Sequence, residues 1–102
     1  MEIQLKNGHI WFDKATVETL FGEEEKANLV YYPERKTLLL AARSKTFFEK
    51  MHKVNWVVLK LRNLKGDKTI SIQDLMLDND LDSTDRLLSY EIKNTGIISI
   101  EL

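Results

Sequence analysis

NGHIWF, residues 7–12, and KGDKTISI, residues 65–72, are each a polar turn built on a glycine that runs straight into an apolar strand. Ile10 and Phe12 in the first, and Ile70 and Ile72 in the second, are spaced for one face of that strand. The continuations are also alike. Asp13 is placed to cap a short helix that carries Val17, Leu20 and Phe21 on one side, with Gly22 just past its end. Residues 73–77 predict a second short helix, and residues 78–85 an acidic loop around Leu81. Each helix then leads to a hairpin. The first joins strands 29–32 and 37–41 through residues 33–36, with Pro33 at the second corner of the turn. The second joins strands 87–92 and 97–102 through Asn94, Thr95 and Gly96, where glycine suits a positive φ.

At an offset of about sixty residues, within the range of internal repeats, the two stretches align. Gly8 answers to Gly66, Ile10 and Phe12 to Ile70 and Ile72, Leu20 to Leu81, Tyr32 to Tyr90, and Leu38 and Leu40 to Ile98 and Ile100. The order in both is turn, strand, short helix, hairpin. Residues 3–5 add an opening strand, and Val57, Leu59 and Leu61 alternate with Val58, Lys60 and Arg62 as a half-buried one. Thr46 and Glu49 make a capping box for a connecting helix over residues 44–53, with Phe47, Phe48 and Met51 on one side. The expected fold class is therefore β-rich α+β, a single domain over residues 1–102. It consists of two βαββ repeats, approximately 1–43 and 54–102, forming one pseudo-two-fold barrel with short helices. Phe12, Leu20, Leu40, Ile72, Leu81 and Ile100 are expected in one shared core.

The chain has 102 residues, enough for one core and not two. It contains no cysteine, which excludes a disulfide scaffold, thiolate catalysis and a thiolate zinc site. The longest apolar run, 38–42, is far too short to span a bilayer, and no signal-peptide pattern opens the chain. These features read as a cytoplasmic protein without a membrane partner. A net charge of −1 exerts no overall pull toward nucleic acid.

No pattern asks for catalysis or for a cofactor. Asp78, Asp80 and Asp82 open like a calcium loop, but Ser83 and Ser89 stand where such a loop needs glycine and a bidentate glutamate. A solvated loop with a turn organised by Asp82 or Ser83 is the better reading. His9 and His52 lie in different elements with no carboxylate at ligand spacing, and no phosphate-binding glycine loop or nucleophile elbow occurs. The expectation is a protein that is not an enzyme and holds no metal.

Charge distribution says more than its sum. Arg43, Lys45, Lys50, Lys53, Lys60, Arg62, Lys65 and Lys68 meet only Glu49 and Asp67 across residues 43–68. The sign then reverses, with Asp74, Asp78, Asp80, Asp82, Asp85 and Glu91 against Arg86. A basic stretch beside Phe47, Phe48 and Trp56 suits phosphate contacts, although these aromatics are expected mainly in the core. Opposite patches on one small surface also suit assembly with further copies of the chain, and the terminal IISIEL would add a strand edge for pairing.

KGDKTISIQDL, LDSTDRLLSYEI and NTGIISIEL, with NGHIWFDKATVETLFG and KANLVYYPERKTLLLAA as the earlier copy, resemble the swapped-hairpin units of the AbrB and MraZ families. The resemblance implies an interlocked barrel in which both units come from one chain, as in MraZ-type proteins, and a bacterial DNA-binding transcriptional regulator. Those families carry an arginine after the turn glycine and a proline closing the first strand. Here His9 and Asp67 occupy the first position, and Asp13 and Gln73 the second. The residues expected to contact duplex DNA are Lys60, Arg62, Lys65 and Lys68, with Lys6 and His9 on the equivalent turn. The alternative is a protein-interaction or self-assembly module of the same fold that does not bind DNA. A continuous positive surface over the two glycine turns favours the first reading, and a broken or acidic one the second.

Overall fold

The apolar stretches become antiparallel strands, each short helix following a strand that has just left the sheet. A computed structural model describes residues 2–42, 48, 55–82, 84–93 and 95–102. The elements are β1 (Glu2–Lys6), β2 (His9–Phe12), α1 (Lys14–Leu20), β3 (Lys26–Tyr32), β4 (Thr37–Ala42), β5 (Asn55–Val58), β6 (Lys60–Leu61), β7 (Lys68–Ser71), α2 (Gln73–Asp78), β8 (Arg86–Ile92) and β9 (Ile98–Glu101). The strand order is β5-β3-β4-β9-β8-β1-β2-β7-β6. Leu59 alone separates β5 from β6, and it donates its N–H to the Glu25 carbonyl at 2.8 Å. One run of chain thus pairs with β3 through its first part and with β7 through its second. The two ends of the strand order meet in that run, and the sheet curls into a nearly closed barrel.

Two-residue periodicity sends alternate side chains inward. Ile3 and Leu5 of β1, Ile10 and Phe12 of β2, Leu38 and Leu40 of β4, and Ile98 and Ile100 of β9 are all buried. Ile10 lies opposite Ile70 and Leu38 opposite Ile100, and these four are fully enclosed. Val17 and Leu20 of α1, Phe21 and Met76 of α2 belong to the same cluster. Phe12 and Phe21 meet edge to face, with ring centroids 5.5 Å apart. Five of the six residues expected to define the core (Phe12, Leu20, Leu40, Ile72 and Ile100) are buried in it, and Leu81 packs against it partly buried. Around the ring the hairpins of the two halves alternate: β3–β4, then β9–β8, then β1–β2, then β7 with β6.

The local signals explain the boundaries. Asp13 Oδ1 accepts from the Thr16 N–H at 2.8 Å and caps α1. The hydrogen bonds from Thr16 hold its carboxyl below the ordinary carboxylate range. Pro33 sits at the second corner of a turn closed by the Arg35 N–H and the Tyr32 carbonyl at 3.2 Å. Gly96 has φ +83 in the last hairpin turn.

Several expectations are corrected. Leu61 is not an inward residue: β6 is only two residues long, ends at the barrel rim opposite Lys68, and leaves Leu61 62% exposed. Trp56 does not fill the core. It is 58% exposed, with Lys26 Nζ 4.4 Å from its ring centroid, because Val57 takes the inward position of β5. Tyr31 rather than Tyr32 matches Tyr90, since both pack against the core while Tyr32 lies under Arg35. IISIEL offers no edge, because β9 is held between β4 and β8. The 44–53 helix and its Thr46–Glu49 capping box lie outside the described residues, apart from Phe48, which is fully buried. His52, Ser83 and Asn94 also lie outside them.

The first turn imposes a conformation that tolerates little change. Asn7 and Gly8 both have positive φ, +53 and +74, as a two-residue hairpin turn of the mirror-image type requires. A Cβ at Gly8 would stand 2.4 Å from Gln73 Cγ, whereas one at Gly22 would meet nothing within 4 Å. Gly8→Ala is expected to cost about 2–3 kcal/mol, from the left-handed backbone plus the collision. Gly22→Ala, with φ +61, bears the backbone cost alone, about 1 kcal/mol. Urea denaturation of both variants measures the difference.

Candidate nucleic-acid interface

Register decides which of the basic residues share a surface, because residues directly opposite each other across a sheet point to the same side. In β1 and β2 the inward positions are Ile3, Leu5, Ile10 and Phe12, so Gln4, Lys6, His9 and Trp11 face outward. Lys6 is opposite His9, and His9 is opposite Ser71. The next row runs Gln4, Trp11, Thr69, Lys60 across β1, β2, β7 and β6. Arg62, two residues beyond Lys60, donates from Nε to Thr69 Oγ1 at 2.7 Å. Thr69 is fully buried on this side, so its hydroxyl anchors the guanidinium without competition from water. Lys6 Nζ stands 5.9 Å from the centre of the Trp11 ring.

Four of the six sequence-predicted residues, Lys6, His9, Lys60 and Arg62, therefore occupy one outer face. Glu2 shares that face at the far end of β1. Neither Lys6, Lys60 nor Arg62 forms an ion pair with another described residue. β1 and β6 are three strand spacings apart, about 14 Å, close to the width of a B-DNA major groove at about 12 Å. His9 Nδ1 lies 2.9 Å from the Asn7 carbonyl, which can only accept, so in the neutral ring Nδ1 carries the proton and Nε2 is the acceptor.

The other two are elsewhere. Lys68 is not in the turn but opens β7, half-buried opposite Phe12, on the side that turns inward. Lys65 is exposed in the 63–67 turn, at the opposite end of the β2–β7 pair from Asn7 and Gly8. That turn is tightly organised: Asn63 Oδ1 accepts from the backbone N–H of Lys65, Gly66 and Asp67 at 3.0, 3.1 and 3.2 Å. Asp67, which stands where the resemblance has an arginine, has a structural task instead. Its Oδ1 accepts from the Lys14 N–H at 3.0 Å at the start of α1, and its Oδ2 accepts from Asn63 Nδ2 at 2.9 Å.

The surroundings of the two turns differ in sign. Lys65 and Lys14 flank the second, with Lys14 Nζ 3.9 Å from Glu18 Oε1. The first opens onto a groove of about 580 Å³ lined by Asp74, Asp80 and Asp85. Asp85 Oδ1 accepts from the Asn7 N–H at 2.9 Å, and Gln73 Nε2 donates to the Asn7 carbonyl at 2.9 Å. The cationic side chains thus gather on the sheet face, while the surface over the two turns is broken and acidic at the first, the outcome that favours the interaction module. The three aspartates of the calcium-like stretch part company: Asp78 ends α2, Asp80 lines the groove at φ +52, and Asp82 Oδ1 accepts from the Thr84 N–H at 3.0 Å. That bond lowers the Asp82 carboxyl below its ordinary range. Among the described residues no three His, Asp or Glu side chains come close enough to hold a metal ion, and no helix is long and apolar enough to cross a membrane.

Trp11, Gln4 and Thr69 complete the face and were not among the residues singled out. The alternation of His9 and Trp11 against Ile10 and Phe12 carries a signal for Trp11. The pairing of β2 with β7, which brings Thr69 and Lys60 alongside, has no local signal at all. No family model matches the chain, and neither a curated protein nor a solved structure matches it.

Proposed function

We propose that this chain is a non-enzymatic, cytoplasmic DNA-binding transcriptional regulator of the AbrB and MraZ type, built as two βαββ repeats in one swapped-hairpin barrel. The repeat reading is supported by the element order, which runs strand, strand, helix, hairpin twice once β5 and β6 are taken as one run. It is supported as well by corresponding strands lying side by side, β2 with β7 and β4 with β9. The observation that carries the DNA reading is the outer face on which Lys6, Lys60 and Arg62 flank Trp11 at a spacing that suits phosphates on either side of a groove. His9 Nε2 and Gln4 would meet base edges or sugars between them.

Three phosphate contacts set a salt dependence. Binding to mixed-sequence duplex DNA, followed by fluorescence anisotropy, is expected to weaken with salt at a log–log slope of about −3. Absence of binding at low salt, or binding that salt leaves unchanged, sinks the proposal. The acidic groove beside the first turn favours a second reading, an interaction or self-assembly module of the same fold.

A further inference from the structure

We infer that the 63–67 turn of one molecule docks into the acidic groove beside the 7–8 turn of a second copy, joining molecules head to tail. The turn is shaped as a knob. Leu64 at its tip is wholly exposed, at 107% of its reference area, with Lys65 next to it. Lys14 lies against the turn, with Cγ only 3.2 Å from where a Gly66 Cβ would be, and shares its ammonium with Glu18 Oε1 at 3.9 Å. Three N–H groups on Asn63 Oδ1 and the Asp67 bond to α1 fix the tip in place, so little ordering is needed on docking.

The groove has the complementary form. Met76, Leu77 and Leu81 give it an apolar lining, and Asp74, Asp80 and Asp85 give it a negative rim. Leu77 is 80% exposed where it lines this groove. An apolar tip beside the exposed Lys65 fits an apolar cleft rimmed by three carboxylates, and one chain carries both. The knob cannot enter the groove of its own molecule. Antiparallel pairing of β2 and β7 puts the two turns at opposite ends, at least about 10 Å apart along the strands. A contact between two different patches does not close on itself as a two-fold dimer does; it extends to a further copy. Lys6, His9 and Lys60 lie outside the contact, so this inference stands or falls separately from DNA binding.

Sedimentation of the full chain, from about 10 µM to about 1 mM at low salt, spans the affinities of weak specific contacts. The expected mass rises with concentration beyond that of a dimer, and added salt reverses the rise. Leu64→Asp and Leu77→Asp change exposed positions and are expected to fold, with each weakening self-association at least tenfold, on the order of one leucine's burial. Should Leu77→Asp lose its circular-dichroism signal, Asp74→Lys tests the same groove. An equimolar mixture of the knob variant and the groove variant retains one intact knob and one intact groove, so it should form a species that stops at a dimer. A chain that stays monomeric throughout, self-association that either variant leaves unchanged, or a mixture that fails to associate overturns the inference. Leu64→Asp should keep the DNA affinity of the unaltered chain, which separates failure of this contact from failure of the sheet face.

Discussion

Phe12→Ala will lower the stability of the whole chain by about 3–5 kcal/mol, the range for deleting a buried phenylalanine. Phe12 is 1% exposed, closes strand β2 and meets Phe21 edge to face at 5.5 Å. Truncation removes both the buried ring and the aromatic pair, which by itself is worth about 0.5–1.5 kcal/mol. A domain of this size has a total stability of only about 5–15 kcal/mol, so the variant sits near the limit of folding at 37 °C. The thermal midpoint should fall by roughly 15–30 °C. Phe12 lies in the first half of the chain, yet it faces Lys68 of the second half across the β2–β7 pair and shares a cluster with Ile70 and Ile72. The loss should therefore appear as one cooperative transition moved to lower temperature, not as melting of one half. Leu87→Ala, at a position 61% exposed, is the contrast and should change stability by less than about 0.5 kcal/mol. A Phe12→Ala cost under about 1 kcal/mol, or two separate transitions, would contradict a single shared core.

The triple variant Lys6→Ala, Lys60→Ala, Arg62→Ala should lose most of the DNA affinity and nearly all of its salt dependence. Removing three phosphate contacts flattens the log–log slope by about 2.7, so the advantage of the unaltered chain at 50 mM salt exceeds that at 200 mM by about forty-fold. The three side chains are exposed and none forms an ion pair with another described residue. Arg62 is the one structural concern, since Thr69 Oγ1 is buried behind its guanidinium. Arg62→Lys keeps the charge but not the planar fork, which separates the two effects. It should preserve the salt slope while lowering stability by about 1 kcal/mol for the lost bond to a buried hydroxyl. Lys68→Ala is the internal control. Its register places it on the inward side opposite Phe12, so the salt slope should not change.

Much of the fold is legible in the sequence because short-range physics sets it. Asp13, Pro33, the Asn7-Gly8 pair and Gly96 mark a cap and three turns, and each turns the chain where its chemistry requires. Two-residue alternation identifies the inward face of β1, β2, β4 and β9. What local signals do not carry is partnership. Nothing in VNWVVLKLR announces that the run changes neighbours at Leu59, so Leu61 reads as inward although it ends exposed at the rim. IISIEL reads as a free edge because its partner β4 lies sixty residues earlier in the chain, at about the separation of the two halves. The candidate site divides in the same way. Lys60 and Arg62 are legible as alternate residues of one strand, and Lys6 and His9 as the two sides of a hairpin turn. That these two pairs share one face depends on β2 lying beside β7. Lys68 reads as a turn lysine because Gly66 and Asp67 precede it, yet the turn closes earlier, on Asn63 Oδ1.

The most direct test of the sheet face as a DNA-binding surface is a nuclear magnetic resonance titration of the labelled chain with a short duplex at low salt. The account predicts shifts centred on Lys6, His9, the Trp11 indole, Lys60 and the Arg62 side chain, reversed by added salt, while Asp74, Leu77 and Asp80 around the acidic groove stay unchanged. Shifts centred on the groove, or a spectrum that duplex DNA leaves unaltered, would contradict it.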